Sequence, residues 1–288
     1  MLWSGRGPLS GERRGVIKPG ELIGGMVAAL QDRLGLARAP REIALGGGLA
    51  VTDVTGRAQV DPHAIGLMLR YLDPGDTMVD VGAGIGVYSA IAGAMLGERG
   101  RVEAFEPSPT LRPCLEANVG RNGLGNVRIH AKLVGGRPMI DPFSDGKGLW
   151  RRRRVPARRD WVSQDALLQI PSVQLDEFLV GRPCQLVRID VAGYELRVLE
   201  GAQGLLRRAS APALLIAFDR ALADYGWSPR QLIGWLAARD YETCFYDGRR
   251  HIILHVAEPW RLHRMLFAFP RAARNRISQR LARRADAA

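Results

Sequence analysis

From residue 77 onward the chain repeats one pattern, a short apolar run of strand character followed by a longer run with helical spacing. TMVDVG, RVEAFEP and NVRIHAKLV read as strands, with VYSAIAGAMLG and TLRPCLEANVGRN as the helices between them. QLVRID, the helix YELRVLEGAQGLLRR, ALLIAFD and the helix SPRQLIGWLAARD continue the rhythm. YETCFYDG and HIILHVAE then read as a hairpin turning at Asp247-Gly248. Strand and helix alternation of this kind implies parallel strands joined by crossovers. The expected fold is therefore α/β: a doubly wound, mostly parallel seven-stranded sheet with a C-terminal antiparallel hairpin.

Around this pattern the chain divides into unequal parts. Residues 1–60, rich in Gly and Arg, read as an N-terminal extension, with a short helix over GGMVAALQDRLG and a hairpin in LAVTDVTGRAQV turning at Thr55-Gly56. Residues 61–260 form the main domain. Its first helix, DPHAIGLMLRYL, is capped by Asp61 and started by Pro62, with Ile65, Leu69 and Leu72 on one face. Residues 135–171 interrupt the alternation as a long basic insertion loop, and residues 261–288 form a basic amphipathic tail.

Charge is concentrated rather than spread. Of the net +12, residues 147–160 contribute seven basic and one acidic side chain, and residues 261–288 eight basic and one acidic, so the remainder is near neutral at −1. A dedicated nucleic-acid binder would carry a basic groove across the fold, and none is expected here. Only three of the 41 basic residues are Lys. In the insertion, Arg151 to Arg154 stand between Trp150 and Trp161, a combination able to hold phosphate while stacking on a ring; a solvated loop is the alternative reading. In the tail, Leu262, Met265, Leu266 and Phe269 are spaced helically, followed by Ile277 and Leu281 beyond Pro270. The first half is expected to dock on the domain, and the basic amphipathic character allows weak contact with an anionic membrane surface.

Other classes are disfavoured. Cys114, Cys184 and Cys244 are far apart and lack CxxC spacing, so neither a disulfide framework nor a zinc site is expected. His63, His251 and His255 lack metal or triad spacing, so no metal is expected; His63 is the one histidine placed to reach an acceptor pocket, because it precedes the first strand. No apolar run approaches membrane-spanning length, and MLWSGRGPLSGERRG has no apolar leader core, which gives the expectation of a cytoplasmic protein.

DVGAGIG, residues 80–86, joins the first strand to its helix, where a doubly wound sheet binds its ligand. Its glycines run GxGxG, and the third dinucleotide glycine is replaced by Val87. Asp80 at the mouth of the loop would repel a pyrophosphate but suit an ammonium group, which favours S-adenosylmethionine over a nicotinamide dinucleotide. Twenty residues after Gly86, Glu106 ends the next strand and can accept both ribose hydroxyls of either cofactor.

VDVGAGIGVYS, VEAFEPSP, LEANVGRNGLGNV, VQLDEFL and LVRIDVAGYELRVLEGA, taken in order, resemble the successive motifs of the FkbM-type methyltransferases over about residues 60 to 258. The resemblance implies the class I methyltransferase fold, S-adenosylmethionine as cofactor, and methyl transfer to a hydroxyl of a sugar, glycan precursor or natural product. Matching positions assign Asp80, Gly82, Ala83, Gly84 and Gly86 to the methionine side of the cofactor, Glu106 and Pro107 to the ribose, and the region of His130 to Lys132 to the adenine. Asp190, at the end of QLVRID, falls beside the methyl group, where it can orient or deprotonate a hydroxyl, with Glu195 one helical turn on to assist. Helix capping is the structural alternative for Asp190. This chain departs from the family in one place: Ala192 stands where an acid is usual, giving DVAG for DVEG. That leaves open a weakly active or non-catalytic cofactor-binding protein. A nucleic-acid methyltransferase is a further alternative, weakened because DVAG replaces the NPPY-like tetrapeptide of base methylation.

Overall fold

The computed structural model describes residues 41–55, 58, 60–136, 140–143, 168–218, 220–256, 258 and 264–282. The helix expected over GGMVAALQDRLG, the Arg151 to Arg154 run with its flanking tryptophans, and Leu262 lie outside the described residues.

The chain opens with a hairpin, β1 (Arg41–Gly46) and β2 (Leu49–Asp53). Its turn lies at Gly47-Gly48, and the turn expected at Thr55-Gly56 runs into residues outside the described ones. Helix α1 (Pro62–Tyr71) follows, with the Asp61 side chain accepting from the amides of His63 and Ala64 and Pro62 at the first position. Then come β3 (Thr77–Val81), α2 (Val87–Leu96), β4 (Arg101–Phe105), α3 (Arg112–Arg121) and β5 (Val127–His130). A small sheet is made by β6 (Leu133–Val134), β7 (Ile140–Phe143) and β8 (Leu168–Val173). The second half runs α4 (Leu175–Phe178), β9 (Leu186–Ile189), α5 (Glu195–Glu200), α6 (Gln203–Leu206), β10 (Ala213–Ala217), α7 (Pro229–Ala237), β11 (Tyr241–Asp247), β12 (Ile252–Leu254), β13 (Met265–Pro270) and α8 (Arg274–Ala282).

The main sheet has eight strands in the order β12-β11-β13-β10-β9-β3-β4-β5. The strands from β10 to β5 are mutually parallel, and β13 runs antiparallel between β10 and β11. The α/β, doubly wound, mostly parallel architecture is as expected, with β11 and β12 forming the terminal hairpin. One strand more than the expected seven is present. β13 accounts for the difference and corrects the helical reading of Met265, Leu266 and Phe269. The run MLFAF is buried on both faces, so its apolar residues are continuous and carry neither a helical nor an alternating signature.

Side chains divide by strand alternation between two cores, one on each face of the sheet. Met78, Leu186, Leu215, Phe267 and Phe269 join α1, α2 and α8 on one face, while Val79, Val81, Val187, Ile189 and Leu266 join α5, α6 and α7 on the other. Ile277 and Leu281, on the apolar side of α8, are buried in the first of these cores. In α1 the buried side chains include Ala64, Leu67, Met68 and Tyr71, and Leu69 of the expected face is exposed. The three cysteines are buried and free. Among the described residues no helix is long and apolar enough to cross a membrane.

The insertion is closed at its base. β7 and β8 pair antiparallel, Ile140 with Pro171 and Phe143 with Leu168, so the segment leaves and rejoins the domain at one place. On the other side of the molecule, α1 meets the β11 to β12 turn by backbone contact. A Cβ on Gly66 would lie 2.8 Å from Gly248 Cα, and one on Gly248 would lie 2.7 Å from His63 Cα. The His63 Nδ1 accepts from the Gly248 amide at 3.0 Å, and its ring meets Phe245 edge-on. His63 thus fastens the hairpin to α1. Alanine for glycine in a helix normally stabilises by about 0.5–1 kcal/mol. Here Gly66→Ala is expected to destabilise by about 1–3 kcal/mol, read as a lower urea midpoint with unchanged slope.

Candidate active site

The carboxyl ends of β3, β4 and β9 converge on the glycine loop. β3 and β9 are adjacent parallel strands with Asp80 opposite Arg188, and both side chains point to the α2 face. The Arg188 Nη1 donates to Asp80 Oδ1 at 2.8 Å, and Nη2 to Asp190 Oδ2 at 2.5 Å. Asp190 is two residues further along the strand and shares that face. Ser89, in the first turn of α2, donates to the other oxygen of Asp80 at 2.7 Å. The guanidinium also lies 3.9 Å over the ring of Tyr88, whose hydroxyl accepts from the amide of Asp61 ahead of α1.

Arg188 and Asp80 are fully enclosed, whereas the Asp190 side chain is 41% exposed. Burial pushes the Arg188 pKa down, but Asp80 and Asp190 outweigh it and leave the value above that of a free guanidinium. Arg188 is therefore a permanent cation, and Asp80 lies behind the loop with both oxygens engaged. Asp190 is the acid of this group that reaches solvent. Arg188 was not among the residues singled out from the sequence. The signal was an arginine inside the apolar run LVRID, two residues before an acid.

The loop itself is built from backbone. The amides of Gly82 and Ala83 both donate to Phe105 O at 3.0 Å, and the Asp190 amide donates to Val81 O at 2.9 Å. Gly82, at φ 81°, packs so closely on β9 that a Cβ would lie 2.1 Å from Asp190 O. Gly84, at φ 63°, has no heavy atom within 4 Å of that position. Its amide donates to Glu106 Oε2 at 2.8 Å, while Glu106 Oε1 accepts from Ser108 at 2.7 Å. Gly86 begins α2 and Pro107 continues the turn after β4. From α3, the Asn118 side chain donates to Ile85 O at 2.8 Å and accepts from Thr52 on β2, tying the loop to the N-terminal hairpin.

These features suit the adenosyl cofactor that the motifs implied. Open space lies over Gly84, and its amide is held by Glu106, a fully buried carboxylate with an amide on each oxygen. His130, at the end of β5, stacks on Phe105 at 4.7 Å between ring centroids and has its Nε2 2.7 Å from the buried Glu103. Among the described residues no three of His, Cys, Asp and Glu are grouped as metal ligands.

Glu195 takes a different position from Asp190. It is fully buried, and its Oε1 accepts from the amides of Gly193 at 3.0 Å and Val191 at 3.4 Å, clasping the turn that follows Asp190. Between those amides Ala192 adopts φ 49°, a left-handed conformation that costs a non-glycine residue about 1–2 kcal/mol. The Glu195 carboxylate holds the strained turn from both sides. Its Oε2 is buried without a hydrogen bond, and burial pushes the carboxyl up to about 7.

Two sets of predictions follow from this geometry. Gly82→Ala should cost about 3 kcal/mol or more, since backbone must move. Gly84→Ala should cost only about 1 kcal/mol yet weaken S-adenosylmethionine binding about tenfold or more by calorimetry. Glu195 has a folded-state pKa above its unfolded value, so the native state holds more protons between about pH 4.5 and 7. Its contribution to stability thus declines as pH rises through that window. Glu195→Gln, which mimics the protonated acid, should flatten this decline, by up to about 3 kcal/mol, in denaturant melts at pH 5 and pH 8.

The model of the Methyltransferase FkbM domain matches residues 80–243, more than half of the chain. Over 70 residues the chain is 30% identical to a protein-L-isoaspartate O-methyltransferase of Fervidobacterium nodosum, covering 24% of this chain and 35% of that protein. The chain thus spans about a third of the length of that curated relative. Among solved structures, a precorrin-6y C5,15-methyltransferase from Geobacter metallireducens is 14% identical, with a TM-score of 0.40 over 72% of this chain and 84% of that one. A SAM-dependent O-methyltransferase from Thermotoga maritima is also 14% identical, with a TM-score of 0.39 over 75% and 68%. With its matched domain running from Asp80 at the glycine loop through the DVAG turn to β11, the chain belongs to the FkbM methyltransferase family, with S-adenosylmethionine as its cofactor.

Proposed function

We propose that the chain methylates a hydroxyl group of a sugar, a glycan precursor or another hydroxylated metabolite. The observation that carries this reading is Asp190, a half-exposed carboxylate at the end of β9 whose backbone touches the glycine loop. S-adenosylmethionine supplies, when bound, an electrophilic methyl on a good leaving group. An in-line transfer of this kind asks the protein mainly to position the acceptor and remove its proton.

The chain's own groups divide that work. Gly82, Ala83, Gly84 and Gly86 line the cofactor with Glu106 and Pro107 beside the ribose. Arg188 holds Oδ2 of Asp190, which leaves Oδ1 to accept a hydrogen bond from the acceptor hydroxyl and then its proton. Asp80 holds Arg188, and so acts on the acceptor only through it. Glu195 shapes the turn that sets the direction of Asp190 and does not itself reach the acceptor.

Ala192 motivates the second reading, a cofactor-binding protein with little turnover. It is only partly buried, on the turn beside Asp190, and adds no carboxylate to it. Incubation of the chain with methyl-labelled S-adenosylmethionine and fractionated extracts separates the readings. Label is expected in alkali-stable ethers of small molecules or glycans. Label confined to nucleic acid or to alkali-labile protein esters would sink the proposal, and no incorporation with intact cofactor binding would leave the non-catalytic reading. Once an acceptor is found, Asp190→Asn should lower kcat about 100-fold or more while leaving cofactor affinity within about twofold.

A further inference from the structure

A cavity lies at the end of the sheet opposite the glycine loop. It is formed by the segments before β10 and β11 and by the end of β13, which runs antiparallel and so finishes beside their starts. The cofactor loop sits at the carboxyl ends of the parallel strands; this cavity sits at their amino ends. Its volume is about 600 Å³, within the usual range of small-molecule pockets. Arg207, Arg208, Arg239, Arg271 and Arg276 line it, together with a single acid, Asp240.

None of these five arginines makes a salt bridge among the described residues. Arg239 is the best fixed. Its guanidinium lies 3.5 Å over the Trp235 ring, Nη1 donates to Trp235 O at 3.0 Å, and Nη2 donates to Gln203 Oε1 at 3.2 Å. Its Nε is buried with no partner. Arg208 is anchored through Nη1 to Leu179 O at 3.0 Å. Arg207, Arg271 and Arg276 are exposed at the rim. Five like charges around one concavity repel each other and focus a positive potential into it. An anion that entered would relieve this repulsion.

We propose that this cavity binds the diphosphate or triphosphate group of a small molecule, at a site separate from that of the methyl donor. Guanidinium forks match phosphate oxygens two at a time, and five of them exceed what a single tetrahedral anion can engage. The five arginines, with Arg271 and Arg276 coming from the basic C-terminal segment, are gathered around one pocket, whereas a nucleic-acid track would extend across the surface.

The test is calorimetry on the full chain with sodium pyrophosphate and sodium tripolyphosphate at about 0.15 M salt. S-adenosylhomocysteine is kept saturating so that the cofactor site cannot contribute. One equivalent should bind, more tightly than inorganic phosphate and more weakly as salt is raised. The double variant Arg207→Gln/Arg271→Gln, at exposed positions, should keep the wild-type melting temperature and lose about tenfold or more in affinity, and Arg239→Gln should also weaken binding. ADP binding tighter than pyrophosphate would assign the group to a nucleotide, and equal binding to a free polyphosphate; either supports the site. Absence of binding, affinity unchanged in both variants, or an oligodeoxythymidylate binding these arginines more tightly than tripolyphosphate would overturn it.

Discussion

A buried guanidinium held between two carboxylates organises this protein's candidate active site. Arg188 stands in the middle of the sheet, between Leu215 on one neighbouring strand and Asp80 on the other. An unpaired charge there would be expensive, and a half-paired one nearly so. Asp80 therefore has to be present and close, and Ser89 satisfies its second oxygen. Once that pair is set, the next residue on the same face is Asp190, and the second arm of the guanidinium fork fixes it at the strand end. The same guanidinium covers Tyr88 and so reaches the start of α1. Strand pairing, helix placement and the direction of the exposed acid are all tied to one side chain.

The turn after Asp190 adds a second constraint. Glu195 folds back to accept from the amides on either side of Ala192, which holds an alanine in a conformation that favours glycine. A carboxyl group with burial enough to raise its pKa to about 7 is used here to shape backbone. Gly82 completes the arrangement, because its missing Cβ lets the glycine loop rest directly on Asp190 O. Asp190 and the glycine loop are thereby held at one fixed distance. Positioning of this kind is what a methyl transfer asks of a protein.

The two ends of the sheet have different characters. At the carboxyl ends, acids and glycines surround the crevice, with one cation buried beneath them. At the amino ends of β10 and β11, five arginines gather around one cavity with a single acid, Asp240. The C-terminal segment links the two regions: β13 enters the centre of the sheet, Phe267 and Phe269 join the core under α1, and α8 then packs over it through Ile277 and Leu281. Arg280 of α8 pairs with Asp76 just before β3, so the last helix also braces the strand that carries Asp80.

Much of this was legible in the residues alone. Alternating strand and helix patterns defined a doubly wound sheet, and DVGAGIG and Glu106 marked the carboxyl ends of two neighbouring strands, because period and glycine placement are local properties of the chain. Asp61 as a cap and Asp190 as a strand-end acid were readable for the same reason. Which acids face solvent was not. Asp80, Glu106, Asp190 and Glu195 look alike in sequence, and only the cross-strand register that sets Arg188 against Asp80 buries the first and leaves Asp190 half exposed. MLFAF likewise has no intrinsic signature, since a segment buried on both faces loses its periodicity; its place between β10 and β11 was decided by the sheet. Sequence by itself determined the alternation of strands and helices and the glycine turn after β3, whereas tertiary structure decided that MLFAF is a strand, which charges are paired inside and which stay exposed, because burial and pairing depend on neighbours distant in the chain.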